Sequence, residues 1–441
     1  MTSTATTTPP DPLAKRLQAI QKLITSGLLK EAAQKLNAAQ KSAPGDARLF
    51  LLGSRLAEAS GNAAGAQDAA RRAVKLAPDW PVAVTELAFL LARQNEFKEA
   101  IGMAERAVQL DGNNPQVLAH VIDIAHRAQH FQLAIAWLQR AVAISPDNRA
   151  IKLLLARDWR LTGHHDKALA ACNQLLESQP ADALALMGRA QTALATGNLA
   201  LALKDCEALL ALHPDDEEVQ FYLELARGNT PSRQPAKMVR SMYDRFAELY
   251  DQHVVAGLKY KLPREVARMI TERYPDRKLN LLDLGCGTGL LGACLGRIEG
   301  ALVGVDVSRP MLDQALRHGV YDRFHHVDLL EALEATPESL YDVIAALDVF
   351  IYAGDMTAAI PDAYRILRSG GHFIFSCERA LEDEADLVLR PTQRFAHKAS
   401  HVEAMCASAG FEQVAIEPMP LRYENNEPVE GFLVIARKPA A

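Results

Sequence analysis

The hydrophobic pattern of this chain has two parts. Up to about residue 216, small and apolar positions recur with a fixed period of 34 residues. In every period an alanine follows a turn-forming residue by five positions and precedes a helix-breaking proline or glycine by twelve. This pattern predicts two helices joined by a turn, repeated along the chain and packed closely where the alanines lie. The alanines are Ala32, Ala66, Ala100, Ala134, Ala168 and Ala202.

The second part has a different pattern. Beyond residue 237, short runs rich in Val, Ile and Leu alternate with helical stretches, which predicts a parallel sheet covered by helices. The last two runs, residues 412–423 and 431–438, are separated by a segment too short for a crossover helix. They are therefore expected to pair as an antiparallel hairpin.

These patterns predict a multidomain protein, an all-α N-terminal solenoid followed by an α/β domain. We expect a disordered N-terminus over residues 1–12, six repeats and a capping helix over residues 13–227, and the second domain over residues 238–441. Residues 228–237 contain Gly, two prolines and polar residues, and so are expected to form a linker.

Composition narrows the range of functions. The net charge of −6 and the pI near 6.1 argue against nucleic acid as a partner. The six cysteines are scattered and form no C-x-x-C pair, which suits a reducing compartment. We expect a cytoplasmic protein with no signal peptide, no membrane span and no metal site.

The candidate chemistry lies in the second part. The apolar run 281–284 leads into a glycine-rich turn with Gly285, Gly287 and Gly289, and then into a helical stretch. Glycines in such a turn let a ligand lie against bare backbone. Asp306 ends the next apolar run, where a carboxylate can accept both hydroxyls of a ribose. The turn alone would also suit a nicotinamide dinucleotide, which is one alternative.

Two family resemblances follow from these motifs. Residues 13 to about 216 resemble tetratricopeptide repeats, and residues 238–441 resemble the class I methyltransferases that use S-adenosylmethionine. The second resemblance implies a Rossmann-like sheet of seven strands that ends in the antiparallel hairpin, with S-adenosylmethionine as cofactor. The expected cofactor-binding residues are Tyr250, Asp283, Gly285, Cys286, Gly287, Asp306, Val307, Met311, Asp328, Leu329 and Leu347.

Two of these assignments have structural alternatives. Asp328, expected to accept a hydrogen bond from the adenine amino group, is also well placed to cap a helix. Tyr243, Phe246 and Tyr250 share one helical face, and the resemblance implies that this helix covers the cofactor. The same stripe is equally suited to packing against the sheet.

The catalytic residues are not identified by the sequence. The sulfonium of the cofactor is already electrophilic, so a base is needed only for an acceptor that arrives protonated. The candidates around the expected acceptor pocket are His253, Asp348, Tyr352 and His397, together with Arg394. Residues 348–352 do not form an Asn/Asp-Pro-Pro-Tyr motif, which argues against an amide or adenine nitrogen as acceptor.

The repeats suggest how the acceptor is brought to the enzyme. Solenoids present extended concave surfaces, and this one is expected to bind a protein, a peptide or a carrier-bound substrate. A free small-molecule acceptor is left open. Arg55, Arg157 and Arg160 are expected to face the groove and receive carboxylates. The alternatives are a groove used for self-association, and an adaptor whose methyltransferase-like domain senses the cofactor or is inactive.

Overall fold

The computed structural model describes residues 11, 13–247, 250–424 and 426–440. The expected disordered N-terminus lies outside these residues except for Asp11. By spatial proximity the chain divides into two units, Met1–Asn198 and Leu199–Ala441, and each is described by itself. The boundaries expected at residues 227, 237 and 238 stay predictions.

The repeats form helical hairpins, as the 34-residue period predicts. The six turn positions, Gly27 to Gly197, all have positive φ, between 54° and 78°. The helices are α1 Ala14–Thr25, α2 Leu29–Ser42, α3 Ala47–Ala59, α4 Ala63–Leu76, α5 Pro81–Arg93, α6 Phe97–Asp111, α7 Pro115–Arg127, α8 Phe131–Ile144, α9 Arg149–Leu161, α10 His165–Ser178, α11 Ala183–Ala195, α12 Leu199–Leu212 and α13 Glu217–Ala226.

The periodic alanines are the points of closest helix approach. All six have 0% of their surface exposed. Opposite Ala66, the buried Ser54 on α3 donates a hydrogen bond from Oγ to the Ala66 carbonyl on α4, at 2.8 Å. A larger side chain at Ala66 would force these two backbones apart, because protein interiors hold few voids. The predicted reason for the alanines is therefore confirmed.

The second unit contains a mixed sheet, as the alternation of runs predicts. Nine strands are described, and strands β3, β2, β1, β4 and β5 lie side by side in parallel. The strands are β1 Leu281–Leu284, β2 Leu302–Val305, β3 Arg323–His325, β4 Tyr341–Ala346, β5 Leu367–Ala380, β6 Leu387–Leu389, β7 Phe395–Lys398, β8 Gln413–Glu424 and β9 Glu427–Arg437.

The predicted C-terminal hairpin is present, with two corrections. Strand β9 pairs antiparallel with β8 and with β5, which completes the predicted path of seven strands. The sheet also has β6 and β7 beyond the end of β5, which the sequence reasoning missed because they are only three and four residues long. Most of the segment expected to be a loop, residues 424–430, is part of the two strands.

The helices of the second unit cover the sheet. Among the described helices of the whole chain, none combines the length and the apolar character needed to cross a membrane. The helices after α13 are α14 Ala236–Phe246, a π-helical turn Gln252–Gly257, α15 Leu262–Arg273, α16 Leu290–Leu295, α17 Arg309–Ala315, a 3₁₀ turn Leu316–His318, α18 Leu329–Ala335, α19 Phe350–Ala353, α20 Ala359–Ile366 and α21 Ala399–Ser408.

The sheet topology determines where a ligand can bind. Strands β1, β2, β3 and β4 are parallel, so their carboxyl ends meet at one edge. The order of the strands reverses between β1 and β4, since β1 lies between β2 and β4. In open α/β sheets, ligands bind outside the carboxyl ends of the strands at such a switch point. The expected cofactor residues follow these strand ends.

We predict that Ala66→Leu lowers the free energy of unfolding of the repeats by about 1–3 kcal/mol, because it overpacks the contact between α3 and α4. Ala64→Leu on the same helix is the control, since Ala64 is exposed. Trp80, Trp137 and Trp159 all lie in the repeats, so urea unfolding followed by tryptophan fluorescence reports this unit. Equal losses in the two variants would contradict the packing argument.

Candidate active site

The glycine turn forms the floor of the candidate site. Gly285, Gly287 and Gly289 have φ values of 65°, 55° and 81°, in the left-handed region that favours glycine. A Cβ at Gly285 would lie 2.4 Å from Val349, so packing excludes a side chain there. At Gly287 a Cβ would meet only the Met311 side chain, at 3.7 Å. Gly287 therefore exposes bare backbone towards the space above the strand ends.

Asp306, at the end of β2, is joined directly to this turn. Its Oδ2 accepts a hydrogen bond from the backbone N–H of Gly287 at 2.9 Å. Its Oδ1 accepts one from Ser308 N at 2.8 Å. Burial raises the pKa of Asp306, while these two hydrogen bonds oppose the rise. Each carboxylate oxygen has capacity for a further bond, so the group can accept two hydroxyls.

Asp328, at the end of β3, has the capping contact that was the alternative to its expected role. Its Oδ1 accepts a hydrogen bond from Leu330 N at 3.0 Å, which caps α18. Its Oδ2 lies 3.4 Å from Nη2 of Arg233. The two roles are compatible, because Asp328 also lines the cleft described next.

These residues line one cleft of about 770 Å³ at the carboxyl edge of the sheet. Nine of the eleven expected cofactor residues lie on its wall, and the other two, Asp283 and Cys286, line a smaller adjoining cavity. The nine are Tyr250, Gly285, Gly287, Asp306, Val307, Met311, Asp328, Leu329 and Leu347.

Asp283 and Cys286 lie beneath the floor of the cleft. The Asp283 carboxyl accepts a hydrogen bond from the Tyr321 hydroxyl at 2.6 Å. Burial raises the pKa of Asp283 to about 7, against the lowering effect of that hydrogen bond. Burial also raises the pKa of the Cys286 thiol, so the reactive thiolate is disfavoured. Whether either residue touches a cofactor stays a prediction.

The segment expected to be a linker crosses the cleft. The Ser232 carbonyl accepts a hydrogen bond from Asp355 N at 2.7 Å, and Gln234 N donates one to the Tyr352 carbonyl at 2.9 Å. Arg233 and Gln234 line the cleft, and sequence reasoning missed both. We call residues 232–235 the strap.

Helix α14 continues the cover that the strap begins. Arg240 donates from Nε to the Val307 carbonyl at 3.0 Å. Ser308 donates from Oγ to Asp244 at 2.6 Å. The helix therefore lies against the loop that carries Asp306, as the family resemblance implied.

Three tyrosines line the end of the cleft near β4. The rings of Tyr243 and Tyr250 have centroids 5.9 Å apart, and those of Tyr243 and Tyr352 are 5.8 Å apart. The Tyr243 hydroxyl donates to the Tyr352 hydroxyl at 3.2 Å. Burial raises the pKa of all three phenols, so they stay protonated at neutral pH and can donate hydrogen bonds. The side chain of Phe246 lies outside the described residues.

Asp348 adjoins these tyrosines and is held by charged groups. It follows β4 with a φ of 56°, which is uncommon outside glycine, and its N–H donates to Ser376 Oγ at 2.8 Å. Arg422 donates from Nη1 to Asp348 Oδ2 at 3.0 Å, and its side chain is 5% exposed. A register shift in β8 between Pro420 and Arg422 places this arginine.

The same arginine belongs to a buried charge network. Arg422 also contacts Glu378 and donates from Nε to Glu424 at 2.9 Å. Arg394 pairs with the same two glutamates, at 2.9 and 2.6 Å. Together with Asp348 the network holds two guanidinium groups and three carboxylates, which leaves one negative charge in excess.

The four catalytic candidates have different positions. Asp348 and Tyr352 line the cleft. His397 is buried with 2% of its surface exposed, bonds from Nε2 to the Gly354 carbonyl at 2.7 Å, and is not on the cleft wall. Burial lowers the pKa of His397 to about 4, so it is neutral at pH 7. The side chain of His253 lies outside the described residues.

Family models match both parts of the chain. Residues 282–373 match the family described as "Methyltransferase domain". Residues 85–149 and 153–217 match the family described as "Tetratricopeptide repeat". The first match spans the glycine turn, Asp306, Asp328 and Asp348.

Individual proteins are similar to the second part. "Methyltransferase-like protein 27" of Homo sapiens is 35% identical over 133 residues, which are 29% of this chain and 53% of that protein, so the chain spans about half of that relative. A "Ubiquinone biosynthesis O-methyltransferase" of Chelativorans sp. (strain BNC1) is 27% identical over 189 residues, 38% of this chain and 74% of the relative.

One solved structure is similar at the level of fold. It is magnesium protoporphyrin IX methyltransferase from Synechocystis PCC 6803 with bound S-adenosylhomocysteine, with a TM-score of 0.35 and 16% identity. The similarity covers 46% of this chain and 99% of that chain.

We predict that Asp306→Asn weakens binding of S-adenosylhomocysteine about tenfold or more, because an amide has one acceptor oxygen and no charge. Isothermal titration calorimetry on the full-length protein measures the affinity. Asp313→Asn is the control, since Asp313 is exposed on α17 and pairs with Arg309. Binding by the Asp306 variant within twofold of the parent would contradict the assignment.

We also predict that Asp283 makes stability depend on pH. Its pKa of about 7 lies above the value near 4 of an unfolded aspartate, so its contribution is complete below about pH 4 and is lost as the pH rises through 7. Asp283→Asn removes this titration. Between pH 5 and pH 8 the parent should therefore lose about 2–3 kcal/mol relative to the variant.

The measurement is urea unfolding of both full-length proteins by far-UV circular dichroism at each pH. Tryptophan fluorescence identifies the transition of the repeats, which contain all three tryptophans, so the remaining transition reports the sheet. A stability difference that stays constant from pH 5 to pH 8 would refute the buried, protonated carboxyl.

Proposed function

This chain carries tetratricopeptide repeats and a methyltransferase domain of the class that uses S-adenosylmethionine, and we propose from that premise that the cleft transfers the methyl group of this cofactor to an acceptor recruited by the repeats. The main support is the contact between Asp306 and Gly287. It holds a carboxylate beside bare backbone at the switch point of a parallel sheet, the arrangement that suits the ribose of a nucleoside.

The residues on the wall of the cleft fit this cofactor. We propose that Asp306 accepts the ribose hydroxyls, that Val307 and Met311 enclose the adenine, and that Asp328 accepts from its amino group. The backbone of Gly285 and Gly287 would approach the methionine part. When bound, the cofactor supplies an electrophilic methyl group, so the protein has to position the acceptor and exclude water.

Asp348 is the best candidate for a base. It lines the cleft beside the three tyrosines, and Arg422 and Ser376 fix its position. The network around it has one excess negative charge, so taking a proton from the acceptor would leave the buried charges balanced. The protonated phenols of Tyr243 and Tyr352 can orient an acceptor by hydrogen bonds.

A hydroxyl is the acceptor that this arrangement favours. A hydroxyl arrives protonated, and therefore needs the base that Asp348 offers. The matched relatives include several named "Ubiquinone biosynthesis O-methyltransferase", which supports oxygen as the acceptor atom. We propose that the acceptor belongs to a protein or carrier-bound substrate held by the repeats, and that the reaction takes place in the cytoplasm.

We predict that full-length protein given methyl-labelled S-adenosylmethionine and an extract of its source cells transfers label to an acceptor. Asp348→Asn should reduce the rate at least about a hundredfold, through loss of general base catalysis, while affinity for S-adenosylhomocysteine stays within about threefold. Asp383→Asn, at an exposed position, is the matched control.

Separate outcomes test the separate parts of this proposal. No heat of binding with S-adenosylmethionine or S-adenosylhomocysteine, and no transfer of label, would favour the adaptor. Transfer by the Asp348 variant at the parent rate would exclude Asp348 as the base. Label found only in the small-molecule fraction would contradict recruitment of a protein substrate.

A further inference from the structure

The repeats contain a cavity of their own, between α9 and α11. Its apolar wall includes Leu153, Leu154, Leu184 and Met187. Leu184 is 61% exposed, although it is a large hydrophobic residue. The cavity lies within the fifth and sixth repeats, and we call it the Gly188 pocket after the residue that opens it.

Gly188 leaves the space that forms this pocket. At the same position of the 34-residue period, the second and fifth repeats have Leu52 and Leu154. Gly188 lies inside a helix without positive φ, and an added Cβ would meet only the sulfur of Cys172, at 3.4 Å. Neither the backbone nor close packing therefore requires glycine here. A glycine inside a helix costs about 1 kcal/mol relative to alanine, and here it leaves an open apolar space.

Three arginines line the same pocket, and none of its described wall residues is acidic. They are Arg149, Arg157 and Arg160. Asp182 pairs with Arg149 at 2.6 Å, and the fully buried Asp158 pairs with Arg157 at 2.8 Å. These carboxylates hold two of the guanidinium groups in place.

The sequence-based expectation for the groove needs a partial correction. Arg55 already pairs with Glu86 at 2.9 Å, and it also donates to Gln21 of the preceding repeat at 2.9 Å. It is therefore occupied within the chain. Arg157 has Asp158, but a guanidinium has five N–H donors, and Nε and Nη2 are the nitrogens that Asp158 engages. The basic character of the groove is concentrated around the Gly188 pocket.

We propose that the Gly188 pocket binds an acidic polypeptide segment by one bulky apolar side chain. The side chain enters the space beside Gly188, and flanking carboxylates meet the three arginines. Apolar burial supplies the anchor, and charge complementarity selects acidic partners over basic ones. This inference rests on the recruitment part of the proposed function, because it names the chemistry of the recruited partner.

The test uses full-length protein and fluorescein-labelled peptides in which a central phenylalanine is flanked by glutamates. Fluorescence anisotropy measures the affinity. We expect binding that weakens at least tenfold when lysines replace the glutamates, and also when glycine replaces the phenylalanine. Added salt should weaken it as well.

Gly188→Leu is the decisive variant, because it fills the pocket with the residue that two other repeats have at this position. It should reduce peptide affinity at least tenfold without loss of thermal stability, since leucine is a good helix former. Gly102→Leu is the matched control, because Gly102 lies in α6 with nothing within 4 Å of an added Cβ. It should bind peptide like the parent.

Three results would overturn the proposal: no binding of the acidic peptide, equal binding of the lysine peptide, or equal affinity of the Gly188→Leu variant. If peptide does not bind and Gly188→Leu converts a dimer into a monomer on gel filtration, the occupant is a second copy of this chain, and the proposal also fails. Methyl transfer is measured separately, so peptide binding without transfer would refute the enzymatic proposal alone. Transfer without peptide binding would refute the pocket alone.

Discussion

Close approach of backbone to backbone, or of backbone to ligand, is the constraint on which this structure depends. In the repeats it is met by alanine, as between α3 and α4, where Ser54 bonds to the Ala66 carbonyl at 2.8 Å. In the sheet it is met by glycine, since a side chain at Gly285 would lie 2.4 Å from Val349. The same absence of side chains that allows packing at Gly285 exposes the amide of Gly287 to Asp306. The fold and the candidate site are therefore consequences of one local requirement.

The charge network at the end of the cleft is difficult to explain by stability alone. Burying charged groups carries a large desolvation penalty, and well-packed apolar residues often stabilise a protein as much or more. Removing one member of such a pair leaves an uncompensated charge and is strongly destabilising. Arg422, 5% exposed and shared by three carboxylates, therefore makes the position of Asp348 depend on groups from β5 and β8. Such dependence suits a carboxylate that has to stay in one orientation.

The sequence was informative where neighbouring residues determine the geometry. The turn at Gly285–Gly289 and the carboxylates at the ends of β2 and β3 follow from strand, turn and helix in direct succession, so they could be placed without a structure. Arg422 and Arg233 could not, because their contacts with Asp348 and Asp328 span 74 and 95 residues. The register shift that places Arg422 has no sequence signal, and strands as short as β6 and β7 show too little alternation to be recognised.

The cover of the cleft differs from its floor in how it is held. The floor consists of buried parallel strands, whereas the strap and α14 are attached through hydrogen bonds at Ser232, Gln234, Arg240 and Asp244. A net hydrogen bond contributes about 1 kcal/mol, so these bonds together amount to about 4 kcal/mol before apolar contacts are added. An equilibrium of that size leaves an open form at roughly one part in a thousand, within the range that ligands select. A rigid floor under a detachable cover can admit a charged cofactor and then exclude water from it, which is what methyl transfer to a hydroxyl requires.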